Sequence, residues 1–461
     1  MKRKVFGFLV TLVVVMFMTL GAALAQDLGL KEWSQAIRFA AQEKGFNYSL
    51  VSLDRRRLVD DVYEYTLVLK VGRGEFDKIG IHRVIREGWS RFPIRAPRGI
   101  MMIHGDTCDF RSGFLMSTQS NEVSTEHSLA IYLAQRNIDV WGIDLRWTFV
   151  PDYYPGTETP YCDVDGCTFM QNWDTGLHLK DIRTAVKVAR IVRALTGSGF
   201  GKVFMLGHSR GAQFTYAYAN KETQLQRWKR DLRGIIPVEM VYKFDPDETE
   251  LIENACTRCQ ILEETYASGT YHSDEAVTLK YISYLAATAP DELSGIIPGF
   301  TNKQAALFVL SATHATYEEP MTPPVPYYHF CAGTFDEYGI PTGLQITNFG
   351  YALDFAFAVP SFQSLGEIID GEAIWCDDST PYDDYLDQIN IPVFYVGAAG
   401  GFGEYGEYTL ELLGSTDKES LIVQLYPPEP VALDYGHVDL LFADNAESLV
   451  WEPICHWINS H

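Results

Sequence analysis

From residue 99 to residue 241, short and continuously apolar runs alternate with stretches of helical spacing. The runs are 99-GIMMIHGD-106, 138-IDVWGID-144, 202-KVFMLG-207 and 234-GIIPVEMV-241. A strand that is apolar at nearly every position is buried on both faces, as strands inside a parallel sheet are. Between them, 178-HLKDIRTAVKVARIVRALTG-197 sets Leu179, Ile182, Ala185, Val186, Ala189 and Val192 on one helical face, with Gly197 placed to stop it. Further helices are expected around EHSLAIYLAQRN and over 211-GAQFTYAYAN-220. This alternation implies parallel β-α-β crossovers, and hence an α/β fold with a mostly parallel sheet flanked by helices. Ahead of it, 31-KEWSQAIRFAAQEK-44 has helical spacing, and VYEYTLVLKV and FDKIGIHRVIRE read as two strands.

The alternation breaks between residues 243 and 388, where aromatics are frequent, four cysteines fall, and 321-MTPPVPYYHF-330 is rich in proline. It resumes with IPVFYVG, a helix near YTLELLG, the strand 420-SLIVQLYP-427 and a last helix through 445-NAESLVWEPICHWI-458. An insertion between two strands of a regular sheet is how a lid or cap joins an α/β core. The expected organisation is therefore a leader at 1–25, core at 26–242, an inserted cap at 243–388 between the sixth and seventh strands, and core again at 389–461.

The leader is read from MKRK followed by an apolar run to Ala25 that ends in small residues, the pattern of a secretory signal peptide. The rival is an uncleaved anchor, since about 20 apolar residues span a bilayer. Either places the body outside the cytoplasm, as a secreted or periplasmic protein with no stable membrane span after cleavage. A formal net charge of -23 argues against nucleic acid or an anionic membrane as partner, because both repel it. Hydrophobic content of 47% and charged content of 21% describe a folded chain.

Eight cysteines behind a signal peptide allow up to four disulfides. Local bridges 162/167 and 256/259 are expected first, with cross-pairing of the two loops as the alternative. Zinc would need four well-spaced ligands, and neither a second C-x-x-C nor paired histidines accompany Cys256. Asp163 and Asp165 hint at a calcium loop, but the twelve-residue ligand pattern is missing.

The chemistry gathers where KVFMLG ends in 207-GHSRG-211, a G-x-S-x-G sequence followed at once by a helix. A sharp strand-to-helix turn crowds the neighbouring backbones, so glycine is needed on both sides of Ser209. A serine hydroxyl needs a base to take its proton. Of eleven histidines, His437 in 433-LDYGHVDLLF-442 lies just past the last strand, where a loop can bring it over the sheet edge. His104 sits in an HG context that suits another role, and His208 is the serine's own neighbour. The backbone N–H of Arg210, and a second from 103-IHGD-106, taken as that of Asp106, can hold an oxyanion.

In order, HG after the third strand, GHSRG after the fifth, an insertion after the sixth and a histidine after the eighth resemble the α/β-hydrolase fold over residues 60 to 461. The tail GHVDLLF is similar to the H-x-D ending of cap-bearing acid lipases. The resemblance implies Ser209 as nucleophile, His437 as base, and Arg210 and Asp106 as oxyanion donors. The family's acid usually follows the seventh strand in a G-x-x-D setting, but this chain has Gly397-Ala398-Ala399-Gly400 there.

The same stretch, 391-IPVFYVGAAGGFGEYG-406, also contains the G-x-G-x-x-G spacing of a dinucleotide-binding loop. Glu404 would set a carboxylate against a pyrophosphate, and the loop lies far from the first β-α turn, so that reading fails. The glycines are instead expected to let a lengthened loop carry Glu404 to His437, with Glu239 and Glu407 as alternatives. The expected activity is cleavage of carboxylic esters, of small-molecule or lipid-like substrates, through an acyl-enzyme. No metal or cofactor is implied. The rivals are a peptidase or amidase on the same triad and a non-catalytic binding protein that kept the fold; the oligomeric state stays open. Tyr266, Tyr271, Tyr281, Tyr284, Tyr327, Tyr328 and Phe330 are candidates to line an acyl pocket, with ordinary packing of the insertion as the alternative.

Overall fold

The computed structural model describes residues 49–89, 91–316, 325–426 and 431–461. The expected leader at 1–25 and the helical spacing at 31–44 lie outside the described residues.

The sheet strands are β1 (Ser49–Val59), β2 (Val62–Lys70), β3 (Lys78–Trp89), β4 (Arg98–Ile103) and β5 (Ile138–Asp144), followed by β6 (Val203–His208), β7 (Leu232–Val238), β8 (Val393–Ala398) and β9 (Lys418–Val423). They run across the sheet as β1-β2-β3-β5-β4-β6-β7-β8-β9, with the short strand Phe92–Pro93 paired to β3. The first three and the β3/β5 pair are antiparallel; from β5 to β9 every pairing is parallel. β1 is an addition to the expected set, so the nth strand counted in the sequence is the next one here.

Alternate residues of one strand face opposite sides of a sheet. On β4, Ile100 and Met102 join an apolar cluster with helix α1 (Leu129–Gln135) and the C-terminal helix, while Met101 and Ile103 join a second with helix α2 (Thr175–Leu195). All four are completely buried, which is why this strand reads as continuously apolar. The six residues expected on one face of α2 are all buried, the helix starts on Asp174, whose carboxylate accepts from the Leu177 N–H at 2.6 Å, and Gly197 just past its end has φ +84°. Helix α3 (Arg210–Thr223) follows β6 directly.

Between β7 and β8 the chain forms a helical insertion: α4 (Thr249–Ala267), α5 (Glu275–Thr288), α6 (Asn302–Ser311), α7 (Phe349–Ala358) and α8 (Leu365–Trp375). Helix α4 packs on α8, and α5 packs on α6 and α7. Two small antiparallel pairs brace it, His272–Ser273 with Gln363–Ser364 and Gly333–Phe335 with Pro341–Leu344.

The disulfides differ in part from expectation. Cys162–Cys167 is formed, but Cys256 bonds Cys376 rather than Cys259. Helix α4 lies along α8, so Cys256 faces the end of α8 while Cys259, one turn on, is buried with its Sγ toward the Ile369 carbonyl at 3.9 Å. Cys108, Cys259, Cys331 and Cys455 are free and buried, giving two bridges instead of up to four.

Candidate active site

The G-x-S-x-G turn is forced by contact at both glycines. A Cβ at Gly207 would lie 1.9 Å from the Gly211 carbonyl oxygen, and one at Gly211 would lie 2.1 Å from that of Ile103. Ser209, between them, has φ 56° and ψ -129°, outside the regions an L-residue ordinarily occupies. Its N–H donates to the Val238 carbonyl at 3.0 Å, which ties the turn to the end of β7. The serine is half-buried and so open to a ligand, at the carboxyl ends of the parallel strands where α/β sheets bind ligands.

The loop after β4 closes on the same serine. A Cβ at Gly105 would meet Ser209 Cβ at 2.7 Å and Oγ at 3.3 Å. His104 shapes this loop: its Nδ1 is 3.0 Å from the Gly105 carbonyl, its Nε2 accepts from the Leu145 N–H at 3.3 Å, and its ring meets Trp147 edge-on. That pattern makes Nδ1 the protonated nitrogen and His104 a brace of the loop. Arg210 opens α3, so its N–H is one of the free donors of a first helical turn.

His437 lies beside this turn. The His208 ring sits 4.7 Å from the His437 ring, and its Nε2 donates to the His437 carbonyl at 3.0 Å. The insertion reaches the same place, since the His437 N–H donates to the His329 carbonyl at 2.9 Å and that of Val438 to Phe330. Asp439, two residues on, is an anchor: its carboxylate accepts from the N–H groups of Ala332 and Gly436 and from the Thr347 hydroxyl.

The carboxylate facing His437 is that of Glu239, not Glu404. Glu239 Oε1 lies 3.3 Å from His437 Nδ1, with both side chains buried. Glu404 is exposed on the turn Gly403–Gly406, and Glu407 accepts instead from the Ser420 hydroxyl at 2.5 Å. The glycine-rich loop has a different use from the one expected. The N–H groups of Ala398 and Phe402 each donate to Glu239 at 2.6 Å, on opposite oxygens. The loop is an anion cradle, and the anion is a side chain of the neighbouring strand. Gly401 permits this, because a Cβ there would stand 1.8 Å from Glu239 Oε1. Gly400 makes room for His329, whose Cε1 would be 2.2 Å from an added Cβ. Glu239 itself has φ +56°, so the chain turns at the residue after β7 and aims its carboxylate across β8.

Burial governs the titration of this pair. It pushes the Glu239 carboxyl up to about 7, against the pull of the backbone N–H groups that bind it. It pushes the His437 imidazole down to about 3, and His208 likewise to about 3. The imidazole is therefore neutral at rest, and a base. Nδ1 carries the proton when it faces an ionised carboxylate, which leaves Nε2 as acceptor.

Of the aromatic residues singled out in the insertion, Tyr328 and Phe330 stand against His437, with ring centroids at 5.1 and 6.3 Å. Phe402, from the glycine loop, adds a third at 5.8 Å. Tyr328 and Phe402 belong to an apolar cluster with Ala212 of α3, Met240 and Trp375. Tyr281, Tyr284 and Tyr327 are exposed, and Tyr266 and Tyr271 pack on each other at 4.8 Å. Gln363 was missed by sequence reasoning. It is a buried glutamine that binds the loop beside Ser209, and it has no local signature.

No protein-family model matches the sequence, and no match was found among curated proteins. Among solved structures, a candidate lipase from Sulfolobus solfataricus aligns with a TM-score of 0.56 and 16% identity, over 89% of this chain and 99% of that one. A soluble variant of monoglyceride lipase from Saccharomyces cerevisiae, in complex with a substrate analogue, aligns at 0.43 and 13% over 90% and 97%. Monoacylglycerol lipase from Paleococcus ferrophilus aligns at 0.37 and 11% over 79% and 94%. The mostly parallel sheet with helices on both faces, and its match along nearly the whole of the Sulfolobus structure, establish that this chain has the α/β-hydrolase fold.

Proposed function

We propose that this protein is a serine hydrolase that cleaves carboxylic esters, with Ser209 as nucleophile, His437 as base and Glu239 as the acid that orients it. The observation that carries the reading is the strained, accessible Ser209 beside a buried His437–Glu239 pair. Ser209 Oγ attacks the carbonyl carbon while His437 Nε2 takes the hydroxyl proton, and the ionised Glu239 stabilises the imidazolium that forms. The charge that develops on the carbonyl oxygen is met by the N–H groups of Asp106 and Arg210. Collapse of the tetrahedral intermediate expels the alcohol, which receives the proton from His437. Water, deprotonated by the same imidazole, then releases the acid and restores Ser209.

The aromatic wall of Tyr328, Phe330 and Phe402 favours an acyl or alcohol group with apolar surface, and the insertion serves as the cap that supplies Tyr328 and Phe330. Two disulfides support maturation outside the reducing cytoplasm, as the leader implies.

Labelling with a fluorophosphonate, and turnover of p-nitrophenyl esters of graded chain length beside aminoacyl anilides, test this directly. Wild type should label and turn over esters; folded Ser209→Ala should not label and should lose about 10³-fold or more in rate. Equal turnover by the folded variant would refute the serine mechanism, and faster turnover of anilides than of esters would replace the ester with an amide.

A further inference from the structure

The oxyanion side of the site is strained and is held from outside the core. Thr107, the residue after Asp106, has φ +56°. A β-branched residue in that region costs on the order of 1–3 kcal/mol and persists only when its surroundings enforce it. The enforcing group is an amide from the insertion. The Thr107 N–H donates to Gln363 Oε1 at 3.0 Å. The other end of that amide, Nε2, donates to Asp106 Oδ1 and to Glu367 Oε1. Asp106 Oδ1 also accepts from Arg210 Nε at 3.1 Å.

The two residues whose N–H groups are assigned to the oxyanion are thus joined through their own side chains, and Asp106, the link between them, is tied to Gln363. The insertion is shaped for the arrangement. Gln363 is 1% exposed, and α8 begins two residues later. A Cβ at Gly371 of α8 would overlap the Arg210 guanidinium at 1.5 Å, so glycine is required for Arg210 to reach Asp106.

We propose that Gln363 is a positioning residue of the oxyanion hole, so that the segment leading into α8 completes the anion site as well as covering it. This rests on the serine-hydrolase reading. A donor must stand about 2.7–3.1 Å from the developing oxyanion, and loss of one donor costs about 10²–10³ in kcat. Gln363 sets the Asp106 N–H by holding the residue on one side of it and its side chain on the other. Its contribution appears only as charge develops, so it acts on kcat and not on ground-state binding.

The test compares wild type, Gln363→Leu and Gln363→Glu for fluorophosphonate labelling, ester kinetics, and inhibition by a trifluoromethyl ketone matched to the best ester. Gln363→Leu should lower kcat by about 10- to 100-fold with KM within about threefold, and weaken the ketone by the same factor as kcat/KM. Gln363→Glu keeps the acceptor for Thr107 but sets a carboxylate against Asp106. Its rate relative to wild type should therefore recover as pH falls and the new carboxyl protonates and donates. Should Gln363→Leu fail to fold, the Gln363→Glu ratio decides, and a ratio flat in pH overturns the role. A wild type that labels, beside a Gln363→Leu variant with unchanged kcat and ketone affinity, also overturns it while leaving the hydrolase reading intact. A wild type that neither labels nor turns over any ester overturns the hydrolase reading, and the role of Gln363 with it.

Discussion

Replacing Glu239 by glutamine separates the two uses of the glycine-rich loop. The Glu239 carboxylate receives two N–H bonds from that loop, one on each oxygen, and faces His437 Nδ1 from Oε1. An amide has one oxygen, so one loop N–H must then face an NH2 group. Leaving a buried donor without an acceptor costs about 1–3 kcal/mol, which should appear as a lower Tm. The larger effect is on catalysis, because an amide cannot stabilise the imidazolium; a loss of about 10²–10⁴ in kcat is expected, with KM much less affected. Glu404→Gln, made in parallel, should change neither rate nor Tm, because that side chain is exposed.

The pH profile gives an independent reading of the same carboxyl. Because only ionised Glu239 supports the imidazolium, kcat/KM should rise as pH passes about 7, the value to which burial pushes this group, and the limb should vanish in Glu239→Gln. The contribution of this carboxyl to stability should move the other way. Its folded pKa lies above the ordinary 4.5, so that contribution falls as pH rises from about 4.5 through about 7, while His437 and His208, pushed down to about 3, contribute stability that rises with pH up to about 6.5; the Glu239 part is therefore read from the difference between wild type and Glu239→Gln. Full activity in folded Glu239→Gln, together with loss in Glu404→Gln, would refute the assignment of the acid.

Two further outcomes are expected. Thiol titration in denaturant should find four free thiols without reductant and eight with it, since two bridges leave Cys108, Cys259, Cys331 and Cys455 reduced; titrating fewer than four would expose a further bridge. Gly401→Ala should lower kcat by about tenfold or more and depress Tm, because its methyl falls on Glu239 Oε1 and must displace the carboxylate from His437; a variant with normal kcat would show that the cradle does not set the acid.

The sheet from β4 onward could be read from the chain because its strands are buried on both faces and leave unbroken apolar runs. β1 could not. Its sequence SLVSLDRRRLV looks like a polar segment, yet Arg55 and Arg56 pair with Glu87 and Glu64 on the strands beyond. Ser209 and His437 stood out because each sits at a fixed point after a strand. The acid did not, since a glycine-rich loop with a glutamate in it offers both a side chain and a row of N–H groups, and spacing cannot tell which is used. What turns the Glu239 carboxylate toward His437 is its backbone at φ +56°, a local turn at the end of an apolar strand with no compositional mark. The partner of Cys256 was hidden for a related reason, lying 120 residues away at the end of a helix whose packing depends on the whole insertion.

The register of β6 against β7 has a consequence for how such a site can change. His208 pairs with Val238, so Ser209 and Glu239 are each the next residue beyond hydrogen-bonded neighbours, on strands about 4.8 Å apart. Their separation is a property of the sheet and not of any loop. The segment that brings His437 can therefore be lengthened, shortened or exchanged without moving the Ser209 backbone relative to that of Glu239, whereas the cradle has to be kept because its N–H groups hold the Glu239 carboxylate. Attempts to give this scaffold a new substrate have the widest freedom in the insertion's outer helices, α5 to α7. The stretch from Gln363 to Trp375, although it belongs to the same insertion, has to be inherited with the core.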